Sequence, residues 1–202
     1  PPKQTKSEFF RKHKLKESTK ILTLLPGSRQ QEIDKMWPVF YEAACEIKKN
    51  NNVEIMVAKS SGVNLTHKEY CHIEEEDVYA SILYATAAIT ASGTAALECA
   101  VLDTPQVVCY KLSSFSAFIA KQMNRAPFVS MPNLIAERPV VNELLQKEAN
   151  VDNISRHLLP LLKDSPQRKL MLQDFEEIRR SLGLPGVYER AAESILKRTQ
   201  RG

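Results

Sequence analysis

The stretch Ala88–Glu98 reads AITASGTAALE and sets the architecture expected for this 202-residue chain. Its first residues are mostly apolar or β-branched, which is typical of a buried strand. The small polar turn Ser92-Gly93-Thr94 follows, and a run of good helix formers comes next. A strand, a tight turn and a helix in this order direct free backbone N–H groups at a bound anion. The same order also occurs at ordinary strand-to-helix corners, so both interpretations are open on this stretch alone.

A second corner of the same kind lies earlier in the chain. The apolar run Ile21–Leu25 is broken by Pro26-Gly27-Ser28-Arg29, and an amphipathic helical pattern follows. The Arg29 guanidinium would lie where that helix begins, and it is suited to bidentate bonds with a phosphate. The sequence lacks the spacing of a P-loop, a dinucleotide-binding fingerprint or a serine-hydrolase elbow. The corner therefore indicates an anion site outside those three classes.

Short apolar segments alternate with helical patterns along the chain, which predicts an α/β fold with a parallel sheet and helices on both faces. The predicted strands are residues 21–25, 53–57, 68–73, 88–91, 106–110 and 127–131, and the pattern is helical from residue 151 onward. Ligands bind such sheets at the carboxyl ends of the strands. The turns at 26–29 and 92–94 and the later Asn133 all follow predicted strand ends, so we expect them to converge.

The composition fits a globular protein with a substantial core, since 43% of the residues are hydrophobic. No apolar run approaches the roughly 20 residues that a membrane-spanning helix needs. Cys45, Cys71, Cys99 and Cys109 lack metal-ligand spacing, and we expect reduced thiols rather than disulfides or zinc ligands. The net charge of +4 suits an anionic ligand without requiring one. Residues 1–20 are strongly basic, which favours a solvated segment, with contact to anionic lipid headgroups as the alternative.

Three motifs occur in a distinctive order. They are L-L-P-G-S-R (24–29) with Glu32, then A-S-G-T-A-A-L-E (91–98), then S-M-P-N-L-I-A (130–136) followed by V-N-E-L-L-Q (141–146). In this order they resemble the C-terminal half of the lipid-A-disaccharide synthases, which are GT-B glycosyltransferases with the active site between two Rossmann-like halves. The resemblance implies that residues 1–20 are a linker or helix from a missing N-terminal domain. It implies that residues 21–150 bind the UDP-sugar and that residues 151–202 are helices packing on or between the domains.

The resemblance also implies a reaction. The enzyme would transfer 2,3-diacylglucosamine from UDP to 2,3-diacylglucosamine 1-phosphate, giving lipid A disaccharide 1-phosphate and UDP. This places the protein in bacterial lipopolysaccharide synthesis, cytoplasmic and peripheral at the inner face of the inner membrane. We expect no cofactor, no metal and no nucleic acid. The partners would be the UDP-sugar donor and a lipid acceptor bound by the missing half, with an anionic membrane surface and a homo-oligomer as open alternatives.

Individual residues take roles from the same resemblance. The diphosphate of UDP would be bound by Gly27, Ser28, Arg29, Ser92, Gly93 and Thr94, the ribose by Glu98, and Asn133 would face the donor. The catalytic base is expected in the missing half, so the fragment alone would bind the donor without turnover. The alternatives are a UDP-sugar epimerase of GT-B architecture and a non-catalytic nucleotide-binding module.

Overall fold

The structure is a computed structural model that describes residues 2–91, 93–111 and 128–183. Within these ranges the chain forms a six-stranded parallel sheet with helices on both faces. The strands are β1 (Lys20–Leu25), β2 (Val53–Ala58), β3 (Cys71–Glu74), β4 (Ala87–Thr90), β5 (Gln106–Tyr110) and β6 (Asn142–Leu145). The helices are α1 (Lys6–Lys12), α2 (Gln30–Asn50), α3 (Val78–Leu83), α4 (Gly93–Val101), α5 (Met131–Ala136), α6 (Val151–Leu158) and α7 (Pro166–Leu182). Short 3₁₀ turns occupy Gln146–Glu148 and Leu159–Leu162.

The strand order is β3-β2-β1-β4-β5-β6, which is the doubly wound order of Rossmann-like domains. The chain builds outward from β1 to β3, then crosses back and builds outward in the other direction from β4. The crossing point lies between β1 and β4, where Leu25 pairs with Thr90. The predicted Rossmann-like sheet is therefore confirmed, and its topological switch point lies between the two strands that precede the predicted binding turns.

The last strand differs from the prediction. The sequence predicts a strand at residues 127–131, of which residue 127 lies outside the described ranges. The structure instead begins α5 at Met131 and places β6 at Asn142–Leu145, paired with β5. Only Leu144 of that strand is fully buried. Because β6 is a short edge strand, it lacks the continuous apolar run that marks the central strands.

The core lies on both faces of the sheet, as the alternation of side chains along β1 shows. Leu22 and Leu24 point into the main core, where Trp37 and Phe40 of α2 pack against them. The other side chains of the strand, such as Leu25, pack on the opposite face. Successive strand residues face opposite sides, so a strand that is apolar throughout must be covered on both faces. That requirement places the helices on the two sides of the sheet.

The basic N-terminal segment packs onto this domain. Phe9 and Phe10 of α1 are buried, at 0% and 2% exposure, against residues of β1, β2 and α3. Thr5 caps the helix through a reciprocal pair with Glu8. The Asp77 carboxylate also accepts hydrogen bonds from the backbone N–H groups of residues 3 and 4. Residues 3–12 are therefore an integral part of the sheet domain.

The described part of the C-terminal region also packs on the sheet domain. Helix α6 packs against α2, and α7 packs against α4 and α5. Ser165 caps α7, and Arg168 in the first turn of that helix donates to the carbonyls of Thr86 and Leu161. The predicted tail at residues 184–202 lies outside the described residues. No helix in the described ranges is both long enough and apolar enough to span a membrane.

Candidate functional site at the switch point

Two helices begin side by side at the carboxyl edge of the sheet. Helix α2 begins at Gln30 after β1, and α4 begins at Gly93 after β4, while β1 and β4 are neighbouring strands. The first backbone N–H groups of each helix have no partner within the helix, and the helix dipole adds positive potential there. The structure thus brings together the two turns that the sequence singles out. An anion bound at this point would meet both helix N-termini.

The turn after β1 has a conformation that glycine favours. Gly27 has a φ of +114°, and a methyl group at this position would lie 3.3 Å from Oε2 of Glu32. Ser28 is exposed. The turn therefore depends on Gly27 to bring the backbone close to the first turn of α2.

Arg29 is the last residue before α2 and presents its side chain to solvent. The side chain is 80% exposed, and its Nη1 atom bonds to Oε1 of Glu32 at 3.1 Å. An exposed ion pair of this kind contributes only about 0–1 kcal/mol of stability. A phosphate can therefore compete with Glu32 for the guanidinium.

The turn before α4 is described only in part, because Ser92 lies outside the described residues. Gly93 begins the helix, and the next residue, Thr94, is exposed. A methyl group at Gly93 would lie 3.5 Å from the Tyr110 hydroxyl and 3.6 Å from Cγ of Met131. The start of α4 is thus bordered by the end of β5 and the start of α5.

Glu98 lies further along α4 and faces α3. It is half-buried and accepts a hydrogen bond from the Tyr79 hydroxyl at 3.4 Å. Burial raises the pKa of the Glu98 carboxyl, and the hydrogen bond from Tyr79 acts in the opposite direction. The Tyr79 side chain is 44% exposed, so this pair is near the surface beside the first turn of α3. The Glu98 carboxylate remains available to hydroxyl donors of a ligand.

Asn133 has a structural role that differs from the predicted one. It is 1% exposed, and its Oδ1 atom accepts from the N–H groups of Val140 and Val141 at 2.7 and 2.8 Å. Its Nδ2 atom donates to the Val141 carbonyl and to Glu143, both at 2.9 Å. These four bonds use the full capacity of the amide. Asn133 therefore fixes the connection between α5 and β6. Its side chain is not presented to a sugar-nucleotide donor.

Glu143 was not singled out from the sequence, although it lies in the motif V-N-E-L-L-Q. Its carboxylate accepts from the backbone N–H of Val129 and from both the N–H and the hydroxyl of Ser130. With the bond from Asn133, Glu143 connects β6 to the segment before α5. A carboxylate in a short strand that follows a Ser-x-x-Asn motif is the sequence signal that indicates such a network.

Tyr110 is a second residue at this edge of the sheet that the sequence motifs do not indicate. It is the last residue of β5 and only partly exposed. Burial raises the pKa of Tyr110 to about 12, with further contributions from the charges of Glu143 and Glu32, while the hydrogen bond with the Gly93 backbone acts in the opposite direction. The hydroxyl lies beside the start of α4. Its signal in the sequence is a polar aromatic residue at the carboxyl end of a buried strand.

Other chemistry-bearing groups are not gathered in this way. The described ranges contain no cluster of three or more His, Cys, Asp or Glu side chains that could hold a metal ion. The four cysteines are free thiols, as expected from their spacing. The polar groups at the switch point are thus hydrogen-bond donors, one arginine and several carboxylates.

Comparisons with known proteins agree with this architecture. The calicheamicin glycosyltransferase CalG4 is similar in structure, with a TM-score of 0.58 and 16% identity, over 92% of this chain and 45% of that one. The spinosyn rhamnosyltransferase SpnG, solved as a complex with thymidine diphosphate, has a TM-score of 0.55 and 15% identity, over 81% and 42% of the two chains. At these identities the likeness shows the fold, which is one half of a GT-B glycosyltransferase.

The sequence comparisons are more specific. A lipid-A-disaccharide synthase from Synechocystis sp. is 35% identical over 189 residues, which cover 88% of this chain and 48% of that protein. The chain spans about half the length of the curated relatives it matches. The family profile described as lipid-A-disaccharide synthetase matches residues 1–195, almost the whole chain, and it favours a synthase over an epimerase. The chain belongs to the lipid-A-disaccharide synthetase family.

Proposed function

We propose that the protein containing this chain transfers 2,3-diacylglucosamine from UDP to 2,3-diacylglucosamine 1-phosphate, and that this chain binds the UDP part of the donor. The family match supports the reaction. The observation that carries the binding role is the pair of helix N-termini at the switch point between β1 and β4. Helix N-termini at such a point are suited to phosphate groups.

The proposed binding groups lie in the two turns. Arg29 would supply charge-assisted hydrogen bonds to the diphosphate, because its exposed guanidinium forms an ion pair with Glu32 alone among the residues that the structure describes. Gly27 and Ser28 on one side, with Ser92, Gly93 and Thr94 on the other, would supply backbone N–H groups and hydroxyls. In the transfer the bond from the sugar C1 to the diphosphate oxygen breaks, and UDP leaves with increasing negative charge. Donors already in place at that oxygen stabilise the charge as it develops.

The ribose role is proposed for Glu98. Its carboxylate already accepts a hydrogen bond from the Tyr79 hydroxyl, which is chemically similar to accepting one from a ribose hydroxyl. A carboxylate can accept from two neighbouring hydroxyls at once. The acceptor lipid and the base that removes the proton from its 6-hydroxyl are assigned to the part of the relatives that this chain does not span.

The place of action is also a proposal. Both reaction partners carry acyl chains, so the enzyme would work at a membrane surface on its cytoplasmic side. The N-terminal segment supports this, because Lys3, Lys6, Arg11, Lys14 and Lys16 are all exposed. Clusters of basic residues of this kind attract anionic lipid headgroups.

Calorimetric titration of the chain with UDP, UMP and uridine tests the proposed binding role. We expect affinity to rise with each added phosphate group, because each one adds hydrogen bonds at the two turns. Equal affinity for UDP and uridine would show that the switch point does not bind the diphosphate. In a full-length protein containing this chain, transfer of radiolabelled diacylglucosamine from UDP is the matching test of the reaction. Binding without transfer would favour a non-catalytic nucleotide-binding module.

A further inference from the structure

The Tyr110 hydroxyl lies directly against the start of α4. A methyl group at Gly93 would be 3.5 Å from the hydroxyl oxygen, so the hydroxyl lies beside the first residue of the helix. A hydrogen bond with the Gly93 backbone acts to lower the pKa of this hydroxyl. Since Gly93 is the first residue of α4, Tyr110 interacts with one of the N–H groups that the helix leaves unpaired.

The Tyr110 hydroxyl can donate one hydrogen bond that the described part of the chain does not use. A phenolic oxygen that receives a bond from a backbone N–H still carries its own proton. None of the residues that the structure describes accepts a hydrogen bond from this hydroxyl. A donor without an acceptor is thus placed beside a helix N-terminus at the switch point.

The surroundings keep this donor neutral. Burial and the negative charges of Glu143 and Glu32 both disfavour the phenolate, so the hydroxyl stays protonated at neutral pH. Those two carboxylates also repel an anion that approaches the same space. A neutral hydroxyl that donates to the anion offsets part of that repulsion, which an apolar side chain at this position would not do.

We propose that Tyr110 is a positioning residue for the nucleotide, whose hydroxyl orders the start of α4 and donates a hydrogen bond to a diphosphate oxygen when UDP binds. This inference rests on the proposed function and adds to it a residue from β5. It predicts that the tyrosine distinguishes ligands with a diphosphate from ligands without one.

The test is a titration of the 202-residue chain with UDP, pyrophosphate and uridine, in wild type and in Tyr110→Phe. Phenylalanine keeps the ring and removes only the hydroxyl. Loss of a hydrogen bond to a charged ligand predicts a dissociation constant about tenfold higher for UDP and for pyrophosphate. Uridine binding should not change, because the nucleoside carries no phosphate.

Tyr84→Phe is the matched control. Tyr84 also uses its hydroxyl within the fold, donating to the Gln4 carbonyl at 2.9 Å, but it lies beside α1. This variant should bind all three ligands like wild type, even if its melting temperature falls. The same ligand pattern in Tyr84→Phe and Tyr110→Phe would overturn the inference, since it would show a general effect of losing a hydroxyl.

Two further outcomes separate the inference from the proposed function. If wild type prefers UDP to uridine and Tyr110→Phe keeps that preference in full, the inference is wrong and the proposed function stands. If wild type itself binds UDP no better than uridine, the diphosphate role of the switch point is wrong and the inference is overturned with it.

Discussion

Glu143 accepts two hydrogen bonds from Ser130, one from the backbone N–H at 2.8 Å and one from the hydroxyl at 2.6 Å. The same carboxylate receives the side-chain amide of Asn133 at 2.9 Å. This network fixes the start of α5, whose first residue borders Gly93. The edge of the candidate site is thus held by a carboxylate and an amide that need not touch the nucleotide.

Asn133→Ala should destabilise the fold by about 2–3 kcal/mol. The change leaves the N–H groups of Val140 and Val141 buried without acceptors, and each such loss costs roughly 1–3 kcal/mol. Urea unfolding measures the effect. The control is Asn52→Ala, which removes an exposed asparagine and should change stability little. An Asn133→Ala protein with wild-type stability but weakened UDP binding would restore the donor-facing role that the sequence predicts.

Arg29→Ala should weaken UDP binding by about 10–100-fold, because hydrogen bonds to charged groups contribute roughly 1.5–3 kcal/mol. Arg29→Lys should recover only part of the affinity, since lysine lacks the planar two-point geometry. Stability should change by less than about 1 kcal/mol, because the pair with Glu32 is exposed. Arg180→Ala is a matched control, as Arg180 is an exposed arginine paired with Glu176 within α7. Equal UDP affinity in both variants would remove Arg29 from the site.

Glu98→Gln should weaken UDP binding but leave pyrophosphate binding unchanged, because only UDP carries a ribose. The same change should not reduce stability at pH 7. Burial raises the pKa of the Glu98 carboxyl in the folded state, so folding favours its protonated form. The folded state therefore loses stability as the pH rises and this carboxyl loses its proton. A neutral glutamine avoids that loss. Calorimetry with the two ligands and thermal unfolding at pH 4 and pH 7 check both statements, and a similar decrease in affinity for both ligands would contradict the ribose role.

The ion-pair cluster at Glu74 should make the fold sensitive to acid. Burial alone would raise the pKa of this carboxyl. Hydrogen bonds from Lys12, the Asp77 backbone, His13 and the Glu76 backbone outweigh burial and lower the pKa to about 2. Because the pKa of Glu74 is lower in the folded than in the unfolded state, its carboxylate stabilises the fold at pH values above about 4.5. This stability is lost as the pH falls from there toward 2.

Glu74→Gln should therefore be less stable than wild type at pH 7, and the difference should narrow between pH 5 and pH 2. The expected difference at pH 7 is on the order of 2–3 kcal/mol. Urea unfolding across this range measures it, and Glu42→Gln on the exposed face of α2 serves as the control. A wild type and a Glu74→Gln variant whose stabilities differ by a constant amount at every pH would contradict this account.

Much of the fold could be predicted because its signals are local. Apolar runs such as Ile21–Leu25 and Gln106–Tyr110 are typical of strands buried on both faces, and the turns between them carry glycine and proline. Strand β6 was missed because it is an edge strand whose identity depends on pairing with β5, and that contact is not local in sequence. The capping box of Thr5 and Glu8 at the start of α1 is a further local signal in the sequence.

The site was predicted less completely than the fold. The sequence motifs locate the two turns that contain Arg29 and Gly93, because strand-to-helix turns have a recognisable composition, and the structure places these turns after neighbouring strands. They did not separate residues that point toward a ligand from residues that support the turn, as Asn133 shows. Side-chain direction depends on tertiary contacts, such as those that Glu143 and Tyr110 make with distant segments. Motif membership alone does not carry that information.

The adjacency of β1 and β4 has a consequence for folding. These strands are hydrogen-bonded neighbours, yet α2, β2, β3 and α3 lie between them along the chain. The binding turns meet only after the whole segment between β1 and β4 has folded back. The pairing of β1 with β4 therefore joins residues far apart in sequence, and it is expected to form slowly. Once formed, it would be strengthened by any ligand that contacts both turns. Amide hydrogen exchange in β1 and β4 should therefore slow together when UDP is bound, as if the two distant strands were one cooperative unit.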